Sequence, residues 1–181
     1  MLRTLAVTAI AFWLVGPSNG WARKVEFWPY DRLSQESELI VIATAMRSEL
    51  CDEAWPEDDF SKDRFVGTET VFKVESVLKG GTPDSVRVIH FSYKQGATRY
   101  DNGPGFVTFL TEPIVTAAKK AGHDSGVLKE WVAVVERLAN KPEYLLFLKK
   151  RSDGRYEAVS GQMDSALSVR TISPPDETRR K

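Results

Sequence analysis

Two neighbouring stretches alternate apolar and polar residues with a period of two, and that alternation restricts the fold more than any other feature. In TETVFKVESVLKGG, Thr68 to Gly81, the residues Thr68, Thr70, Phe72 and Val74 alternate against Glu69, Lys73 and Glu75. In SVRVIHFSY, Ser85 to Tyr93, Val86, Val88 and His90 fall on one face and Arg87, Ile89 and Phe91 on the other. A period of two belongs to a strand with one face on a core. The first alternation breaks at Val77 and Leu78, which predicts a bulge or extra twist before the Gly80-Gly81 turn.

Further strands are expected on either side. LIVIATA, Leu39 to Ala45, is a β-branched apolar run suited to burial on both faces. EYLLFLKK and RYEAVSG flank RSDGR, whose Asp153-Gly154 pair signals a hairpin. FVTFL, Phe106 to Leu110, reads as a short strand behind the turn-rich Lys94 to Gly105 stretch, and SALSVRTI, Ser165 to Ile172, as a last strand or short helix. YDRLSQESE, Tyr30 to Glu38, reads as a short helix or turn packed by Leu33, Phe27 and Trp28. The period changes only at Leu128, Trp131, Val132, Val135 and Leu138, which predicts one amphipathic helix over Gly126 to Ala139, capped by Asp124 or Ser125 and limited by Pro142. Five or six strands and one or two helices predict a mainly β domain, a small antiparallel OB-like β-barrel whose closure removes exposed strand edges. That single domain is expected over 23–172, followed by a Pro-broken, disordered tail at 173–181.

The N-terminus has the three-part layout of a signal peptide over 1–22: Arg3, a nearly apolar run from Leu5 to Gly16, then small residues that place the cut before Trp21 or Arg23. The apolar run is short for a membrane span, which needs about 20 residues. A secreted or periplasmic product with no stable membrane anchor after cleavage is therefore expected. The chain carries 25 Lys and Arg against 25 Asp and Glu, a balance that lacks the basic excess typical of nucleic-acid binders. The expected partner is a protein or an envelope component.

SELIVIATA followed by TETVFKVESVLKGG resembles the first two strands of the netrin-like and tissue-inhibitor-of-metalloproteinase-like domains, whose second strand also ends in Lys-Gly, here Lys79-Gly80. The closing YLLFLKKRSDGRYEAVSGQ is similar to a hairpin of secreted bacterial proteins of that general shape. The resemblance covers Ser37 to Gly81 and Tyr144 to Gln162, and it implies a five-stranded OB-like barrel with a helix packed on it. Members that inhibit metalloproteinases bring the amino group of an N-terminal cysteine to the zinc. Here the mature chain is expected to start at Trp21 or Arg23, and Cys51 is the sole cysteine. Zinc-directed inhibition is not implied, and fold alone does not assign function.

Cys51 with His90 or His123 has the ingredients of a thiolate–imidazole pair, but Asp52, Glu53, Glu57 and Asp58 nearby are expected to raise the thiol pKa, so no catalytic residue is assigned. An unpaired cysteine in an exported chain suits a Cys51-linked dimer. Two histidines make a poor zinc set, and no cofactor or metal is expected. CDEAWPEDDFSKD, Cys51 to Asp63, holds six carboxylates and lacks the alternation of an EF-hand loop, so it is expected to be an exposed acidic loop. Within it, Trp55 is the candidate anchor for a partner, with Asp52, Glu53, Glu57, Asp58 and Asp59 around it. Its alternative is to fold back over the barrel. Phe91, Tyr93, Tyr100 and Phe106 are open to two readings, a stacking platform or core. The expected function is a secreted, non-catalytic binding module, with an exported hydrolase or a protease inhibitor acting by loop insertion as alternatives.

Overall fold

A computed structural model describes residues 23–56, 62–111 and 142–172. The expected signal peptide, the expected helix 126–139, His123 and the tail 173–181 lie outside the described residues, as do Glu57, Asp58 and Asp59. Helix α1 spans Tyr30–Glu36, and six strands follow: β1 Leu39–Cys51, β2 Phe65–Lys79, β3 Ser85–Tyr93, β4 Glu143–Lys150, β5 Tyr156–Ala158 and β6 Val169–Ile172. Short 3-10 turns at Lys62–Arg64 and Ser165–Ser168 lead into β2 and β6. SALSVRTI thus supplies a helical turn and then a strand.

Pairing in the order β1-β2-β3-β5-β4 closes on itself because β4 also pairs with β1, and β6 adds to the first half of β4. The result is a closed five-stranded OB-like barrel with one extra strand. The expectation of a wholly antiparallel barrel needs one correction: β3 and β5 run parallel, pairing Val88 with Tyr156 and Ile89 with Glu157. Strand directions cannot alternate all the way round a ring with an odd number of members, so one seam must be parallel. It falls on the shortest strand.

β1 makes closure possible. Its first half pairs with β4 over Leu39 to Thr44 on one edge and with β2 from Ile40 onward on the other. The register with β2 slips between Ile40 and Val41, between Ile42 and Ala43, and between Ala45 and Arg47. The first two slips skip Leu78 and Glu75, which places the expected irregularity next to the broken alternation at Val77 and Leu78. Such slips tighten the twist that a small barrel requires.

Leu39, Val41, Ala43 and Ala45 of β1 point inward and meet Phe72, Val86, Val88, Tyr144, Leu146 and Leu148 in the main core. Ile40 faces outward onto Leu33 of α1, together with Phe147 and Val159. Burial of LIVIATA on both faces follows from this arrangement. Leu33 and Trp28 pack as expected, but Phe27 is 82% exposed. Consecutive side chains of an extended segment point opposite ways, so only one of Phe27 and Trp28 can face the core. Trp28 wins that place, with the Arg32 guanidinium 3.7 Å over its ring.

FVTFL is not a strand. Its backbone bonds go to side chains instead of a ladder: Val107 N–H donates to Ser165 Oγ at 3.3 Å and Leu110 N–H to Tyr144 Oη at 2.8 Å. Phe109 from this segment sits edge-on to Phe72 and Tyr144, at 4.7 and 5.2 Å between ring centres, and fills the barrel interior.

Lys79-Gly80 acquires a physical reason. Lys79 Nζ donates to the Ser34 and Gln35 carbonyls near the end of α1, at 2.7 and 3.2 Å. Gly80 takes φ +96°, and a Cβ there would stand 2.5 Å from the Glu38 carbonyl oxygen. Gly80→Ala is expected to cost about 2 kcal/mol, from backbone strain and the clash together. Urea unfolding of both proteins checks it, and a midpoint unchanged by the substitution contradicts this account.

Candidate functional site

The outer face of β3 carries Ile89, Phe91 and Tyr93, and these form the floor of a third cluster with Phe65, Trp55, Tyr100 and Phe106. Trp55 lies at its centre, 4.7 Å from Phe65, 5.0 Å from Phe91 and 5.6 Å from Phe106 between ring centres, the last two edge-on. Its exposure is 5%, so it does not protrude as a partner anchor would; it folds back over the barrel. Phe91, Tyr93, Tyr100 and Phe106 are part of the same packing, with Phe91 buried to 1% exposure. Arg64 stands 4.5 Å over the Tyr100 ring and Arg99 5.8 Å over Tyr93. The aromatic side of this end is therefore covered by guanidinium groups.

In the described part of the acidic stretch Asp52, Ala54, Pro56 and Asp63 are exposed as expected, while Glu53 is half-buried and Trp55 buried. Cys51 is the last residue of β1, and the chain after it crosses β2 at Gly67, where a Cβ would lie 2.7 Å from Glu53 Cβ. Glu53 then receives Arg151 Nη2 at 2.6 Å and Arg155 Nη2 at 2.7 Å, both from the β4–β5 hairpin. Arg155 also bonds Asp153 at 2.6 Å, and Arg151 reaches Glu157 at 3.2 Å. Glu157 accepts further from Gln162 Nε2 at 3.0 Å, whose amide also donates to the Ile89 carbonyl. The side-chain and backbone bonds from Arg155 hold the Asp153 carboxyl down at about 2. One carboxylate shared by two arginines clasps the segment before Trp55 to the hairpin. Among the candidate residues, Glu53 thus serves the fold, while Asp52 remains exposed.

The Cys51 thiol is pushed up first by burial, and Glu53 and Glu69 add to this against Arg155 and Arg151. Of the acidic neighbours expected to raise it, Glu53 does so; Glu69 was not among them, and burial is the largest cause. A thiol so held is a weak nucleophile at neutral pH.

His90 is a core imidazole tied into a line of hydroxyls across three strands. Ser48 Oγ of β1 lies 2.7 Å from Thr70 Oγ1 of β2, which lies 2.8 Å from His90 Nε2 of β3. The Phe109 ring stands edge-on over the imidazole at 5.0 Å. Burial pushes the imidazole down to about 4, and Nδ1 has no well-formed partner among the described residues. Sequence reasoning put His90 on one face with Val86 and Val88, and Thr70 on one face with Phe72, but missed the line joining them to Ser48, since Ser48 falls beyond the end expected for the first strand. It also missed the arginines of RSDGR as partners of Glu53. Gly67, a glycine inside a strand, was the available signal that another backbone approaches there.

Among the described residues no three His, Cys, Asp or Glu side chains stand close enough to share a metal ion, and no helix is long and apolar enough to cross a membrane. No family model matches the chain, and no curated protein matches it.

Two outcomes follow from this geometry. Trp55→Ala is expected to destabilise the fold by about 3 kcal/mol or more, as truncation of a buried indole does; denaturant unfolding that shows less than about 0.5 kcal/mol, the scale of a surface change, contradicts the buried role. For His90, an unfolded imidazole titrates near 6.5 and the folded one at about 4. Between those values the unfolded chain binds the proton and the folded chain does not, so stability falls as pH drops through this window, by about 3 kcal/mol in all. The loss is complete only below pH 4. In His90→Gln the dependence over this window is expected to flatten in unfolding series at successive pH values, and an unchanged slope refutes the assignment.

Proposed function

We propose that the chain is an exported, non-catalytic binding module that contacts a protein or another envelope component through the loop-bearing end of its barrel. The observation that carries this reading is the filled interior: Phe72, Val41 and Leu146 reach zero exposure, and Phe109 is packed among them. A barrel filled by its own side chains offers its outer surface and loops to partners, not a chamber to a substrate. His90, the ionisable imidazole of that interior, is neutral and held by Thr70 beneath Phe109.

The contact surface is the end where the β1–β2 connection meets the turn-rich 94–105 segment. Lys94 N–H donates to the Arg64 carbonyl at 2.9 Å and Arg64 Nη1 to the Thr98 carbonyl at 3.1 Å, so the two loops are bound to each other. Beneath them the Trp55 cluster and the Glu53 clasp hold the backbone. Rigid support reduces the ordering entropy that a loop-borne contact otherwise loses on binding. Asp52, Asp63, Lys94 and Asp101 project from this end as exposed charges of both signs. They form the polar part of the proposed surface, and Trp55 moves from contact residue to support. The five-stranded barrel supports a fold-level likeness to the netrin-like and metalloproteinase-inhibitor-like domains, and binding is proposed without zinc ligation.

The test expresses the full chain in its native host and captures partners from the extracytoplasmic fraction by cross-linking. Recovery of a specific partner is expected to drop with Asp52→Lys plus Asp101→Lys, and to persist with Thr82→Lys on the exposed β2–β3 turn at the opposite end. N-terminal sequencing of the recovered chain is expected to begin at Trp21 or Arg23. Equal recovery from all three proteins removes this end of the barrel from the reading, and a chain retained in the cytoplasm removes export.

A further inference from the structure

β1 is paired on both edges only as far as Thr44. From Arg47 to Cys51 it pairs with β2 alone, Arg47 opposite Val71 through to Cys51 opposite Gly67. Among the described residues no strand pairs with its other edge, so every second residue of Arg47 to Cys51 turns its backbone N–H and C=O to an edge with no described partner. Natural folds usually blunt such an edge with proline, a bulge or inward-pointing charges. Here the irregularity lies at Met46, before the open stretch, and no proline lies between Arg47 and Cys51.

The side chains along this edge have an unusual symmetry. Reading outward from Ser48, Arg47 and Glu49 stand on either side with opposite charge, and beyond them Met46 and Leu50 are both apolar. Arg47 and Glu49 side chains are 64% and 68% exposed and share a face, where they contact each other at 3.7 Å. Met46 and Leu50 are 51% and 74% exposed, high values for large apolar residues. An antiparallel pair places residues directly opposite each other on the same face of the sheet. If a second copy of this strand pairs antiparallel about Ser48, each Arg47 faces Glu49 of the other copy, and each Met46 faces Leu50 of the other copy. The charged and apolar contacts are then complementary and each occurs twice, as a two-fold interface demands, while Ser48 faces itself on the axis.

We propose that the open half of β1 is a self-association edge, through which two copies of this chain pair antiparallel about Ser48 and join their barrels into one continuous sheet. The partner is a second copy because the charge pattern is complementary to itself in this one centring. Moving the centre to Glu49 would set like charges face to face, and moving it to Arg47 would do the same. The dimer is distinct from a Cys51-linked one. In this register each Cys51 faces Ala45 of the other copy, which separates the two Cys51 residues by about 20 Å along the strand at roughly 3.3 Å per residue. A disulfide requires Cα atoms within about 7 Å. The association is therefore independent of redox conditions.

Sedimentation equilibrium of the full chain over a concentration series, with and without reductant, tests this. Wild type is expected to show a reversible monomer–dimer equilibrium that reductant and Cys51→Ser leave unchanged. Arg47→Glu and Glu49→Arg each set like charges opposite each other twice per dimer, and each is expected to weaken association about tenfold or more. The double variant R47E/E49R restores complementarity and is expected to return the dimer toward wild-type affinity. Both positions are exposed, so thermal unfolding is expected to show all three variants folded. A strictly monomeric wild type, a dimer abolished by reductant, single variants that associate as wild type does, or a double variant as weak as the singles would each overturn the proposal.

Discussion

The structure depends on β1 serving two neighbours at once. Over Ile40 to Thr44 both edges of the strand are paired, to β4 and to β2, and this double pairing converts a meander of strands into a closed ring. Closure allows the inward residues to reach zero exposure, because each is surrounded by strands on every side. It also forces the parallel seam between β3 and β5, since five directions cannot alternate around a ring. The double pairing stops at Thr44, opposite Glu143 at the start of β4, and β1 continues with β2 past a register slip at Met46. One strand therefore accounts both for the sealed interior and for the open edge beyond it.

What could be read in the sequence is what repeats with a short period. The alternation in TETVFKVESVLKGG and SVRVIHFSY gave the faces of β2 and β3, and Ser85 to Tyr93 matches β3 at both ends. The inward set Val86, Val88 and His90 and the outward set Ile89 and Phe91 are both buried, but in different clusters. Period alone identifies the two faces; it does not reveal that a second layer covers the outer one. That layer is formed by Trp55, Phe65, Tyr100 and Phe106, which are distant in sequence and arrive by chain reversal. Composition reads most of the described stretch from Cys51 onward correctly as exposed, Asp52 and Asp63 included, but misses Glu53 for a similar reason. Its carboxylates predict solvent exposure, yet Glu53 is partly buried between Arg151 and Arg155, nearly a hundred positions away in the chain. FVTFL has the content of a strand, and its backbone instead bonds Ser165 and Tyr144, partners that no local pattern can announce.

Toward the end where β1 separates from β4 the interior holds polar groups, with Ser48, Thr70 and His90 in line. A buried hydroxyl or imidazole is tolerated where each finds a partner, and the spacing of these three strands lets one side chain from each meet the next. The line forms across the ladder, and its members share a face only because Met46 shifts the register of β1 by one residue. Without that slip, alternation would turn Ser48 outward and leave Thr70 with His90 alone.

The Glu53 clasp and the Trp55 cluster act on the same short segment by different physics. Trp55 removes a large apolar surface from water, and that burial is the main source of stability for the crossover. The clasp brings together a carboxylate and two guanidinium groups that all lose part of their hydration, so its net contribution to stability is small. Its geometry is demanding, however: Glu53 must lie between Arg151 and Arg155, and Asp153 must hold Arg155 from the other side. Apolar packing alone would let the indole settle in several neighbouring positions over β2. The paired arginines remove that freedom by fixing the residue two places before it, and Gly67 provides the clearance that lets the backbone pass. Stability comes from the ring, and the single path of the chain comes from the charges.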